Sequence, residues 1–189
     1  MGSNDENKVV LVGDVQCGKT GLIYNYFSDK LPDPAVPTIY KEYRTELDVD
    51  GRKVPIVLWI VPAQDHYSAI RTLTYENSKA VILCFAIDNP ESLTNVTSKW
   101  YPEIKEHSPN APIILVGNKV DLRSDENTIN ELSSKSLQPV SFEQGKEVAE
   151  KIKAVQYFEC SGKNGDAVKE MFKAAAAAIL NNSNGIEAH

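Results

Sequence analysis

The chain has 189 residues, 42% hydrophobic and 24% charged, with a formal net charge of −6. This is the composition of an ordinary globular domain with chain enough for a sizeable core, and an acidic balance without a basic run argues against a nucleic-acid partner. The three scattered cysteines, Cys17, Cys84 and Cys160, exclude a disulfide framework and point to a reducing, cytoplasmic compartment, and no metal-ligand spacing appears, His66, His107 and His189 forming no cluster.

Residues 1–7 are polar and acidic, unlike a signal peptide, and are expected to form a flexible tail. Gly2 stands where a myristoylated glycine would, but Glu6 replaces the Ser or Thr of that motif. Lys8–Val12 is an apolar, β-branched run that predicts a strand. It runs into Gly13-Asp14-Val15-Gln16-Cys17-Gly18-Lys19-Thr20, which has the form GxxxxGKT, and then into Leu22, Ile23, Tyr26 and Phe27 at helical spacing. Strand, glycine-rich loop and helix in that order make a phosphate cradle. Gly13 and Gly18 let backbone N–H groups turn inward, and the helix adds its positive dipole end. Lys19 can reach the outer phosphates, and the Thr20 hydroxyl can ligate Mg²⁺.

Further along, residues 42–49 and 53–60 flank Asp50-Gly51, a hairpin signal. Residues 79–87 read as a buried strand, and Asp88-Asn89-Pro90-Glu91 starts a helix through Leu93, Val96 and Trp100. Strands over 111–116 and 155–160 alternate with helices over 142–152 and 167–180, and residues 181–189 are expected to fray. The pattern predicts a six-stranded, mostly parallel sheet with one antiparallel hairpin strand and helices on both faces. Ligands on such sheets bind at the carboxyl ends of the strands, where Gly13, Ile60, Gly117 and Ser161 fall. No apolar stretch is long enough to span a membrane.

Asn118-Lys119-Val120-Asp121 has the form NKxD. The Asp121 carboxylate can accept two hydrogen bonds from guanine N1 and its exocyclic amine, a donor pair that adenine lacks. Lys119 can pack its stem along the base, and Asn118 can tie neighbouring loops. Cys160-Ser161-Gly162-Lys163 offers a backbone N–H to the guanine oxygen. The NKxD motif argues against a P-loop kinase or ATPase.

With these motifs the chain resembles a Ras-superfamily small GTPase, most similar to the Rho/Rac branch, over residues 8–180. The resemblance is carried by Gly13–Thr20, Val36-Pro37-Thr38, Leu58-Trp59, residues 83–88, residues 118–123 and Glu159-Cys160-Ser161. It implies a single G domain binding GTP or GDP with Mg²⁺, and it brings Gly21, Leu31, Ala63 and Leu122 into the nucleotide site. It also implies that Thr38 is a metal ligand and γ-phosphate sensor, and that residues 125–137 are the helical insert of Rho proteins. Effectors and regulators would bind near 31–43 and 60–76, with actin regulation as the implied output. Tyr40, Tyr43 and Trp59 are aromatics facing either effectors or the sheet. Membrane contact would follow only if a C-terminal lipidation signal had been removed.

The chain departs from the family at several positions. Where DxxG should follow the third strand, it reads Ile60-Val61-Pro62-Ala63. Ile60 cannot hold Mg²⁺ through water, Ala63 replaces a flexible glycine, and Pro62 stiffens the turn. Val15 crowds the γ-phosphate, and Leu31 and Ala35 remove aromatic cover. Gln64, the candidate for orienting the attacking water beside Lys19, is retained. The one formal DxxG, Asp48-Val49-Asp50-Gly51, falls in the hairpin turn. The expected function is a Rho-like guanine-nucleotide switch with impaired hydrolysis. Its alternatives are an ordinary GTPase whose second switch is compensated, with Asp65 taking over the metal, and an interaction module without turnover.

Overall fold

The computed structural model describes residues 6–27 and 41–186, so Leu31, Ala35, Thr38 and Tyr40 lie outside the described residues. Six strands form one sheet: β1 (Asn7–Gly13), β2 (Lys41–Val49), β3 (Arg52–Ile60), β4 (Ala80–Ala86), β5 (Ile113–Asn118) and β6 (Gln156–Glu159). Their order is β2-β3-β1-β4-β5-β6, with β2 antiparallel to β3 and every other pair parallel. The hairpin turns at Asp50 and Gly51, both at positive φ, while the Asp48 carboxylate accepts from the Gly51 N–H at 2.9 Å. The apparent DxxG is thus consumed by a turn that demands left-handed backbone.

Strand periodicity divides the core in two. Val9, Leu11, Ile82, Cys84, Ile114 and Val116 face α1 (Lys19–Phe27) and α7 (Gly165–Ile186). Val10, Val12, Val81, Leu83, Ile113 and Leu115 face the other layer. That layer draws on α2 (Ser68–Tyr75), α3 (Pro90–Asn95), α4 (Tyr101–His107) and α6 (Phe142–Lys151). A π-helical turn, Val96–Trp100, joins α3 to α4. All seven residues of β4 are buried, as a central parallel strand covered on both faces requires.

Between β5 and α6, α5 (Glu126–Ser134) begins at Asp125, whose carboxylate accepts from the Thr128 N–H at 2.9 Å. α6 opens on a capping box formed by Ser141 and Gln144. No helix of the described residues is long and apolar enough to cross a membrane.

Three local expectations change. The tail predicted for residues 1–7 ends sooner, because Asn7 already pairs in β1 and its side-chain amide donates to the Pro55 carbonyl. The fraying predicted from residue 181 is corrected over 181–186, where α7 continues; Asn182 reaches the Asn110 carbonyl and the Ser183 hydroxyl donates to the Ile179 carbonyl. A short 3₁₀ turn (Asp65–Tyr67) and α2 form where no element was predicted. α2 buries Arg71, Thr74 and Tyr75 and exposes Ile70 at 43% and Leu73 at 64%, so the apolar side of its amphipathic pattern faces outward and hydropathy does not give its buried face.

Candidate nucleotide-binding site

The loop between β1 and α1 lies at the carboxyl edge of the sheet, and two of its glycines are required by space. A Cβ on Gly13 would lie 2.2 Å from the Cys84 carbonyl oxygen, and one on Gly18, at φ +88°, would lie 2.2 Å from Asn118 Nδ2. Gln16 also takes a positive φ. The Lys19 ammonium folds back along the loop, donating to the carbonyls of Gly13 at 2.8 Å and Asp14 at 2.7 Å. It also stands 3.6 Å from the Cys17 sulfur. A hydrogen bond from Cys84, together with that ammonium, lowers the buried Cys17 thiol to about 7, and its partner Cys84 is raised.

Asn118, at the end of β5, donates to the carbonyls of Cys17 at 3.0 Å and Gly18 at 3.1 Å, so this residue locks the NKxD loop to the glycine-rich loop. Its Oδ1 is buried without a hydrogen-bond partner. Lys119 adopts a left-handed backbone and reaches the Gln16 carbonyl at 2.7 Å. With Gln16, Gly18, Lys19 and Thr20 it lines a cavity of about 450 Å³. The third loop closes on the second: the Val120 N–H donates to the Cys160 carbonyl at 3.1 Å, and Lys163 pairs with Asp121 at 3.2 Å. The Leu122 N–H donates to the Lys119 carbonyl, the Ser161 hydroxyl accepts from the Lys163 N–H, and Asn25 of α1 donates to the Gly162 carbonyl at 2.6 Å. Arg123 braces both loops through a two-pronged pair with Glu159 at 2.8 and 2.6 Å. Residues from three separate stretches of sequence thus form one cleft. Gly21 is exposed on α1, with open space around its Cα.

A model of the Ras family matches residues 8–181. The chain belongs to the Ras family.

Members of the Ras family are small GTPases that bind GTP or GDP with Mg²⁺ and engage effector and regulator proteins. The residues present suit the nucleotide: two positions where any Cβ would collide, an unpartnered buried acceptor, and a lysine at the head of a helix. They suit the metal less well. Thr20 offers an exposed hydroxyl, Thr38 lies outside the described residues, and Ile60 packs its side chain against the core on the α1 and α7 face. Among the described residues, no group of three or more His, Cys, Asp or Glu side chains is arranged to hold a metal ion. The Asp65 carboxylate, the alternative metal acid, is instead held by Lys99 at 2.8 Å, and this pair keeps it below the usual carboxylate range.

A second cavity, of about 310 Å³, lies beside the glycine-rich loop and brings Val15, Ala63 and Gln64 together. Val15 is 51% exposed there, while Ala63 is 7% exposed, with its methyl in the core on the α4 face. The lining of this cavity also holds Asn95 and Trp100, which the sequence did not mark as site residues. The Asp14 carboxylate accepts from Trp100 Nε1 and Asn95 Nδ2, each at 2.7 Å. A π-helical turn that ends on a tryptophan beside a glycine-rich loop fits the association of such turns with functional sites. No motif announces it, because Asn95 and Trp100 lie five positions apart and meet Asp14 only across the fold.

Proposed function

We propose that this Ras-family protein is a Rho-like guanine-nucleotide switch whose GTP hydrolysis is impaired. The observation that carries the reading is the fate of the two positions after β3 where DxxG would stand. Ile60 packs against the core, and the Ala63 methyl is buried in it. Neither side chain offers what positions the metal and lets the segment reorganise, and catalysis of phosphoryl transfer is almost entirely positioning and charge stabilisation.

In this reading Gly13–Thr20 and Gly21 cradle the phosphates, Lys19 brings charge to the outer ones, and Thr20 with Thr38 holds a weakened Mg²⁺. Asp121 reads guanine, supported by Asn118, Lys119, Leu122 and the Ser161-Gly162-Lys163 loop; Leu31 flanks the base. Gln64, exposed at the cavity that Val15 narrows, orients water poorly. The Rho assignment is supported by α5, a capped helix where the Rho insert is expected. Effectors and regulators acting on the actin cytoskeleton would engage residues 31–43 and 60–76. The protein would work in the cytoplasm, reaching membranes only with a C-terminal lipid.

The test is to identify the nucleotide that co-purifies with the protein and to compete it with GDP and ADP. Recovery of guanine nucleotide with selective displacement by GDP supports the reading; equal displacement by ADP overturns it.

A further inference from the structure

Arg71 is 2% exposed, and its whole guanidinium is engaged. Nε and Nη2 grip both oxygens of Glu103 on α4 at 2.9–3.1 Å, and Nη1 donates to the carbonyls of Pro62 at 3.1 Å and Gln64 at 3.2 Å. The guanidinium also lies 5.0 Å from the centroid of the Trp100 ring, whose indole N–H holds Asp14 of the glycine-rich loop. Glu103 is fixed in turn by the Tyr75 hydroxyl at 2.8 Å. The lead-in to α2 is therefore tied at each step. The Val61 N–H bonds the Leu11 carbonyl, the Pro62 carbonyl is held by Arg71, the Ala63 methyl is in the core, and the Gln64 carbonyl accepts from both Arg71 and the Tyr67 N–H.

We propose that Arg71 latches residues 62–67 onto α4, so that this latch, and not the γ-phosphate, sets the conformation of the segment leading into α2. The proposal rests on the nucleotide-switch reading above and specifies how that switch is regulated: the segment leading into α2 is held in one state. A ligand shifts an equilibrium only by its differential affinity for the two states. Here one amide–phosphate bond would have to displace a planar fork, itself 2% exposed, that spans two carbonyls and a carboxylate, together with a buried methyl. A side chain with a single point of charge cannot span that set, so lysine is no substitute.

The experiment is amide hydrogen exchange of peptides covering residues 61–71. It is run on the nucleotide-free protein and on protein loaded with GDP or a non-hydrolysable GTP analogue, with loading measured by chromatography. In the parent, exchange should be the same in all loaded states to within about twofold. In R71K, and in the double variant Arg71→Met with Glu103→Gln, which keeps an acceptor for Tyr75 without a stranded charge, exchange at 63–67 should rise at least about tenfold in the GDP and nucleotide-free states. The triphosphate should then slow it again, a nucleotide dependence that a merely structural role for Arg71 would not create. The latch is refuted if the parent already shows a tenfold difference between nucleotides, or if either variant, with the core strands still protected, exchanges as slowly as the parent. Should no nucleotide load at all, the switch reading fails, and the comparison of nucleotide-free parent and variants still decides the latch.

Discussion

Replacing Glu103 by alanine strands the Arg71 guanidinium at 2% exposure. Three N–O contacts of 2.9–3.1 Å disappear, and the Tyr75 hydroxyl loses an acceptor at 2.8 Å. Removing one partner of a buried ion pair costs about 3–5 kcal/mol, chiefly because the other charge is left without compensation. Arg71 keeps the Pro62 and Gln64 carbonyls and the face of Trp100, and Glu103 stands 16% exposed, near enough to the surface for water to enter. The lower end, about 3 kcal/mol, is therefore expected. For a domain of this size that lowers the melting temperature by roughly 6–12 °C. Urea and thermal unfolding of parent and Glu103→Ala give the difference directly, with an unchanged denaturant slope showing that only stability moved. Glu103→Gln, whose single amide oxygen Tyr75 and Arg71 Nε would share while the charge is lost, should cost less than Glu103→Ala. A loss below about 1 kcal/mol in Glu103→Ala would refute the claim that this pair holds α2 to α4.

Asp121→Asn should weaken GDP binding by on the order of 1–3 kcal/mol, the cost of an unpaired buried group, and should improve xanthosine diphosphate, whose 2-oxo group prefers an amide donor; competition binding reads both. Release of a fluorescent GDP analogue should be fast and should change less than about tenfold on adding EDTA, because Ile60 supplies no oxygen toward the metal; acceleration by orders of magnitude would show an intact metal site. Trp100→Phe keeps the ring beneath Arg71 but removes the 2.7 Å donor to Asp14, and should cost about 1–3 kcal/mol in unfolding. A Trp100→Phe protein as stable as the parent would mean that Asn95 alone satisfies Asp14.

Most of the scaffold is legible in the sequence because its signals are local. β-branched runs give β1, β4 and β5, Asp50-Gly51 gives the hairpin, and GxxxxGKT followed by NKxD marks the cleft that Asn118 ties together. Two regions resist for identifiable reasons. α2 turns Arg71 and Thr74 inward and Leu73 outward, so its burial follows a charge network rather than hydropathy. That network in turn depends on Glu103, more than thirty positions away, and on a tryptophan rotated toward Asp14 at the end of a π-helical turn. Ile60 carries the reverse lesson. Its identity alone leaves no carboxylate at the end of β3, and the fold adds that the partly buried side chain packs against the core.

Single-turnover GTP hydrolysis, measured in the parent and in the combined variant Val15→Gly, Ile60→Asp, Ala63→Gly, tests the central claim most directly. Val15 narrows the cavity that Gln64 lines, Ile60 gives the metal no acid, and the buried Ala63 methyl holds the segment in the core. One well-placed electrostatic contact is worth about 3 kcal/mol, or roughly a hundredfold in rate. The account predicts very slow hydrolysis in the parent, a gain of at least about a hundredfold in the combined variant, and loss of that gain when Gln64→Leu is added. A parent that hydrolyses GTP as fast as the combined variant would contradict it and make this protein an ordinary GTPase.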